Sequence, residues 1–484
     1  MTAWAITFGL IYLALLCYAA YKTFVKNKSA DEFMLAGKSI GSILGILTFA
    51  AALFSSFTFL GMPDLFRTSG VGAWVFLGVS DGAMVFMILW FGHRVRKKVK
   101  QLGFKGMAGL VTTIYQNKWA GYVLFAGAFI FLVPYAAIQV KGMAMFMSAA
   151  FPGLIPFWSW ALITICIILI YSQIGGFKAL VYSDAIQGLL LLLTIWLICI
   201  GCLTKMGGFS SAIQQVKTIN EKLLSVPGPK GLFNIQFLVT SMIAIVMIPL
   251  TQPQMSTRIV VLKNSMSLHR MAIAVGVFAI LVIFPTVFIG FYGAIHYPGL
   301  AAQGFWGKAL LSDQAGIVAG LAIIGLFACV LSATNAKVFA LGSELRSLLS
   351  GDDKRVMIKV KLSLVLFATI TFISAISISD RLALLSKTSF TGTAMMAPMV
   401  LSAVLSKRKP GNEIIVFTMV ALAVFLLSLA TWIPAKLLGL NIELWLFALL
   451  AVAAFASAIA RKITQPQQNI NTVNDVLAGI KTTN

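Results

Sequence analysis

Four stretches of this 484-residue chain set polar side chains into apolar sequence in patterns that bear on ion and solute chemistry. The first, LFSSFTFLGMPD (53–64), groups Ser55, Ser56 and Thr58 ahead of Gly61 and Pro63. Hydroxyls beside a glycine and a proline let an apolar helix open, freeing carbonyls for a cation where the segment lines a cavity. Ordinary small-residue helix packing uses the same residue types. The second, GGFKALVYSDAIQGLLLL (175–192), puts Asp184 and Gln187 at the entry of an apolar run, as a capped helix start also would. The third, IPLTQPQMSTRIV (248–260), sets a proline between two glutamines and leads to Arg258, which loop charge assigns to the cytoplasmic side. The fourth, LSATNAKVFALGSEL (331–345), follows the charge-free run IVAGLAIIGLFACV (317–330). It buries Lys337 in a helix-length apolar run, where a bare ammonium is costly.

Two further apolar runs carry isolated polar groups. Asp81 in GVSDGAMV lies near mid-run. An intramembrane carboxylate is a functional candidate because lipid exposure would cost several kcal/mol, the plainer alternative being a buried acid satisfied by neighbouring hydroxyls. In VPYAAIQVKGM, Tyr135, Gln139 and Lys141 form a polar row, and Lys141, near the outer end, is expected to snorkel. Nothing resembles a catalytic constellation. No histidine stands inside an apolar run beside an acid, the acids within runs are isolated, and a GxxxxGK loop followed by Ser or Thr is absent. A membrane-embedded enzyme such as an acyltransferase is therefore disfavoured. His93, His269 and His296 are too scattered for a metal site, and the five cysteines, all within apolar runs, read as small core residues.

These groups must be positioned by membrane helices. Hydrophobic residues make up 60% of the chain and charged residues 11%, and the mean hydropathy is +0.95. Apolar runs of about 20 residues, enough to cross a bilayer core of roughly 30 Å, recur from end to end. The expected fold class is an all-α polytopic membrane protein. Hydropathy places about thirteen spans, near 3–22, 39–62, 72–92, 119–148, 154–172, 184–204, 233–252, 271–295, 315–345, 362–379, 382–405, 413–435 and 439–460. An odd number puts the termini on opposite sides. With the N-terminus outside, 26 of the 37 Lys and Arg residues fall on the cytoplasmic side. The net charge of +23 is then mainly an orientation signal, and no nucleic-acid partner is expected. KRKP (407–410) and HRVRKKVK (93–100) read as stop-transfer flanks rather than lipid-specific sites. The first run lacks the basic flank and cleavage site of a removable signal. The loop at 205–232 can form a short surface helix, and the tail at 463–484 is polar.

Together the motifs resemble the sodium:solute symporter family. A GG pair followed after five or six residues by Ser/Thr-Asp-x-x-Gln appears as GGFKALVYSDAIQ, a QP-x(4)-R pattern as QPQMSTR, and an LST-A-D-S-Q-type helix as LSATNAK. The resemblance runs from about Ser39 to Leu405. It implies a leucine-transporter-type 5+5 inverted repeat: a leading helix and loop (1–38), five-helix repeats at 39–204 and 233–405 separated by the external loop at 205–232, two trailing helices (406–462) and a cytoplasmic tail (463–484). It further implies uptake of a small organic solute by alternating access, driven by a sodium or proton gradient, with no cofactor, in a bacterial inner membrane and in a chain acting as a monomer among lipids.

Carried over residue by residue, the family's sodium site would use the carbonyls of Ala51, Phe54 and Cys329, the hydroxyl of Ser332 and position 333, with Asp184 nearby. This chain has Ala333 where the family usually has a hydroxyl, so one side-chain oxygen is missing. The same resemblance turns Leu53, Ser55 and Thr58 toward the solute, with Asp81, Tyr135 and Gln139 as further candidates. Lys337, one turn beyond Ala333 and leaning back toward it, is a candidate cation surrogate, paired with Asp184 at similar depth. The alternative is that Lys337 snorkels to the cytoplasmic surface. A transporter-like receptor acting through a partner is the rival reading of the whole chain.

Overall fold

A computed structural model describes residues 1–23, 33, 40–379 and 382–464, and of Ile174 and Gly175 the backbone alone. Most of the loop assigned to 23–38, and the tail from 465 onward, lie outside these described residues. The chain is almost wholly helical, because in lipid a backbone N–H or C=O without an internal partner costs several kcal/mol. Among the described residues, nine helices are long and apolar enough to cross a membrane, and a bent pair makes a tenth. Three apolar helices are shorter: 157–173, 235–246 and 413–429.

Helix α1 (Thr2–Thr23) leads. Next comes α2 (Ser42–Leu53), which stops at Phe54, where the backbone turns extended (φ −82°, ψ 135°). A π-helical turn (Phe57–Gly61) and α3 (Met62–Ser69) resume the path at 61° to α2. The opening expected at the Ser55–Ser56 hydroxyls is therefore present. Helices α4 (Ser80–Leu102), α5 (Met107–Tyr115) and α6 (Lys118–Ala150) follow.

The spans expected at 154–172 and 184–204 are two helices, Phe157–Gln173 and Gly176–Lys205, together α7, that meet at a non-helical Gly176 (φ 62°, ψ −171°). The helix after that break starts earlier than hydropathy placed it, because Lys178 and the paired glycines read as a loop. Asp184 is thus two turns inside the helix rather than at its entry. Helix α8 (Phe209–Asn220) lies in the 205–232 loop, as expected. Helix α9 (Ile235–Val246), a single turn (Ile248–Thr251) and α10 (Pro253–Val260) form a second interrupted path. The break falls at Gln252 (φ −103°, ψ 112°), with Pro253 opening the next helix where its missing N–H does no harm.

Helices α11 (Ser265–His296), α12 (Gly316–Leu348), α13 (Asp353–Ser377), α14 (Leu382–Ala394), α15 (Ala397–Leu405), α16 (Glu413–Leu429) and α17 (Ile442–Thr464) complete the bundle. A minimal antiparallel hairpin, β1 (Lys436–Leu437) and β2 (Leu440–Asn441), sits between the last two. α12 packs against α1, α6, α7 and α13, and α11 against α2, α3, α4 and α7, so both lie at the centre of the fold. Of the cysteines, Cys199, Cys202 and Cys329 are buried, whereas Cys17 and Cys166 face outward. Apolar surface is no guide to burial in a protein whose solvent is itself apolar.

Candidate ion and solute site

Broken helices leave polar backbone in the interior, and the chain closes those gaps with side chains from distant segments. Gln139 of α6 accepts from Ser56 N (2.8 Å) and Ser56 Oγ (2.7 Å), capping the start of the second half of the first broken path. Its own Nε2 donates to Tyr135 O at 3.3 Å. Gln139, expected to meet solute, thus has its carbonyl committed to the break. Thr58 Oγ1 accepts from Ser55 N at 3.4 Å.

The centre of the polar interior is an ion pair. Arg258 on α10 and Asp184 on α7 are both inaccessible and meet at 2.7 Å (Nη2 to Oδ2). Thr48 Oγ1 donates to the same Oδ2 at 2.6 Å, and Ser332 Oγ donates to Oδ1 at 2.6 Å. The guanidinium is satisfied on its other edges by Thr48 O (3.0 Å), Thr48 Oγ1 (2.9 Å) and Gln254 O (2.9 Å). A buried pair holds when the remaining lone pairs and protons find partners, and here they do. One cluster therefore joins α2 just before its break, α7, α10 just after its break, and α12. Beside it lies a cavity of about 10 Å³ lined by Arg258, Gln254, Thr257 and Phe177 among others. Gln254 Oε1 and Thr257 Oγ1 have no hydrogen-bond partner, so the void has the size and polarity for one water.

Two expectations about this region are corrected. Arg258 is not a cytoplasmic loop residue but a fully buried one; it was legible only as the last residue of QP-x(4)-R, since hydropathy cannot tell a loop cation from one held by a single carboxylate. Asp184 is engaged by that arginine, so it is not the partner of Lys337.

Lys337 itself is fully buried, which rules out snorkelling to the surface. Its Nζ folds back along α12 to Ala333 O at 3.0 Å and lies 4.1 Å from the centroid of the Tyr135 ring. The lean toward the N-terminus expected of helical side chains places it on position 333. No carboxylate pairs with it among the described residues. Lys141 is also buried; it donates to Ile378 O and sits 5.8 Å from the Phe157 ring centroid, so the snorkelling expected of it is not seen.

The residues assigned to the ion site come together in part. Cys329 Sγ is 3.6 Å from Phe54 O, bringing α12 to the break in α2, and Ala51 packs near Gly188 of α7. Leu53 and Thr58 are buried at the break. Asp81 is buried in the first turn of α4, its Oδ1 without a hydrogen-bond partner, and Ser55 Oγ is likewise unpartnered. His93 and His269, judged too far apart in sequence, meet at 3.4 Å (Nε2 to Nε2), but no group of three or more metal-binding side chains forms among the described residues.

Two interrupted helices meeting at a buried polar cluster inside a polytopic bundle define a helical membrane transporter, the arrangement in which half-helix ends supply ion and solute contacts near the midplane. The comparisons agree. A solved structure of a Na+-coupled sialic acid symporter, in a substrate-bound outward-open state, superposes with a TM-score of 0.78 over 97% of this chain and 98% of that one, at 17% identity. The profile of the sodium:solute symporter family matches residues 33–409, and the chain belongs to that family. It is 24% identical to the sodium/pantothenate symporter of Haemophilus influenzae over 68% of each chain. It is also 24% identical to the Escherichia coli sodium/pantothenate symporter, over 58% of this chain and 55% of that one. A high-affinity proline transporter of Bacillus subtilis matches at 24% over 44% of this chain and 45% of its own. The match thus spans between about half and two thirds of these relatives' lengths.

Proposed function

We propose that the protein takes up a small organic solute into a bacterial cell by alternating access, driven by an ion gradient across the inner membrane. Family membership and the two interrupted helices support this reading. The relatives' names, pantothenate and proline symporters, bound the solute to small organic compounds without choosing one. The nine long helices, the bent pair and the three shorter apolar helices make thirteen crossings on this reading. They comprise a leading helix with its following loop (1–38), inverted five-helix units at 39–204 and 233–405 with an external loop at 205–232, and two trailing helices at 406–462. The N-terminus is outside and the tail at 463–484 cytoplasmic, and the chain works as a monomer without a cofactor.

At the ion site the carbonyls of Ala51, Phe54, Cys329 and Ala333 and the hydroxyl of Ser332 are the oxygens on offer to the coupling ion, with Asp184 behind Ser332. The observation that carries the mechanism is the Lys337 ammonium on Ala333 O. A hydrogen-bonded ammonium at the position short of an oxygen takes the place of bound sodium. Coupling is then to protons, through release and uptake by Lys337, or sodium dependence is weak. Solute lies against Leu53, Ser55, Thr58 and Tyr135, with the free Oδ1 of Asp81 as an acceptor; Gln139 shapes the pocket by holding the break.

Uptake into proteoliposomes, measured against sodium concentration and pH in wild type and Lys337→Gln, tests the reading. Sodium-independent, pH-dependent uptake in wild type is expected, with loss of the pH dependence in the variant. Strong sodium dependence unchanged by the substitution would remove Lys337 from the coupling mechanism.

A further inference from the structure

Away from the ion site, a cavity of about 820 Å³ opens between α9, α14, α15, α16 and α17. It is within the roughly 300–1,000 Å³ of ordinary ligand sites. Alanines at 448, 451, 454 and 458 keep one wall of α17 low, and Pro398 and Leu401 line the facing wall. Lining residues on α17 run from Leu444 to Arg461, about 26 Å of helix rise. That exceeds the depth of one leaflet, about half of the roughly 30 Å bilayer core. The cavity is therefore long, narrow and apolar, and lies where the surrounding medium is lipid.

One end is different. Lys407, Arg408 and Arg461 all line the cavity there. Lys98 from α4 reaches the same loop, donating to Ser406 O at 3.0 Å. Glu413, which contacts two of the lining residues, is already engaged by Ser457 Oγ (2.6 Å) and Arg461 Nη2 (3.5 Å). Arg408 Nε is buried without a hydrogen-bond partner. A cationic rim facing one spent acid, above an apolar groove, is complementary to one amphiphile: a long apolar tail under a negatively charged head.

We infer that this cavity seats a glycerophospholipid with an anionic headgroup, its phosphate at Lys407, Arg408 and Arg461 and an acyl chain along the alanine face of α17. The KRKP stretch then does more than stop transfer: it holds a lipid between the trailing helices and the rest of the bundle. The inference is independent of the solute and of the coupling ion.

The test uses the full-length protein in detergent micelles, incubated with an equimolar mixture of phosphatidylglycerol and phosphatidylcholine and read by native mass spectrometry. Wild type is expected to retain phosphatidylglycerol selectively. Lys407→Gln combined with Arg408→Gln should lower that retention about 25-fold, roughly fivefold per cation, with phosphatidylcholine unchanged. The control Lys354→Gln with Arg355→Gln, at the exposed start of α13, should behave as wild type. Equal retention of the two lipids, equal loss in the control, or displacement by inorganic phosphate alone would each overturn the assignment. Ala454→Phe, which fills the groove and leaves the rim intact, carries the test if the double variant fails to fold: loss of phosphatidylglycerol supports the site and full retention overturns it.

Discussion

Asp184 has no free oxygen. Arg258, Thr48 and Ser332 all bind its carboxylate, so removing either charge strands the other in a dry interior. Asp184→Asn and Arg258→Gln should each cost about 3–5 kcal/mol of stability, seen as a large fall in Tm in detergent. The double variant, leaving no uncompensated charge, should recover much of that loss, and a double variant no more stable than the singles would argue against the pairing. Ser332→Ala leaves both charges paired but withdraws one carboxylate contact and the hydroxyl assigned to the ion. It should depress uptake far more than Ser42→Ala, whose hydroxyl merely meets Ser267 Oγ at 3.2 Å. Much of this site was legible residue by residue, because Asp184, Ser332 and Lys337 are polar where the sequence is otherwise apolar. What was not legible was who pairs with whom. Arg258 stands 74 residues from Asp184 at what hydropathy reads as a loop edge, and only the fold shows that Lys337 goes to a carbonyl while the arginine takes the acid.

At the scale of elements, the molecule depends on where its helices fail. Hydroxyls, glycine and proline announced the break after Leu53, since they change local helix energetics in a way that sequence carries, whereas the break at Gln252 before Pro253 was read only as the end of a span, because the same proline signal serves a helix stop. The turn inside α7 was harder to read. Gly176 holds φ 62° with ψ −171°, a combination only glycine adopts at low cost, so a side chain there costs about 1–3 kcal/mol. A Cβ would also stand 2.8 Å from Phe33 Cδ2 and 2.9 Å from Phe33 O. Gly176→Ala should therefore lower Tm and uptake together, whereas Gly82→Ala, at a position open around the missing Cβ, should be silent in both. Span lengths escaped hydropathy for a related reason: α4 runs on through HRVRKKVK to Leu102, because helix continues into water where apolar sequence does not.

The whole molecule is set in the membrane by its charge. If 25 of 37 cations, the buried Arg258 now set aside, mark the cytoplasmic face, a cysteine placed at Lys230 should react with an impermeant maleimide on intact cells. One placed at Lys354 should react only after the membrane is opened; the reverse pattern would invert the topology. The buried charges also have an electrical meaning. Arg258 and Asp184 cancel, so the transmembrane field pulls on them only as a dipole. Lys337, with no carboxylate partner among the described residues, feels that field in full whenever it is protonated. A full charge crossing the field is worth about 2.3 kcal/mol per 100 mV, and a shift through a tenth of it about a tenth as much. On the proposed coupling through Lys337, the carrier holds its own gating charge. On a solid-supported membrane, transient currents should accompany solute binding in sodium-free buffer and vanish in Lys337→Gln, making the voltage sensitivity of the cycle a property of one side chain rather than of a bound ion.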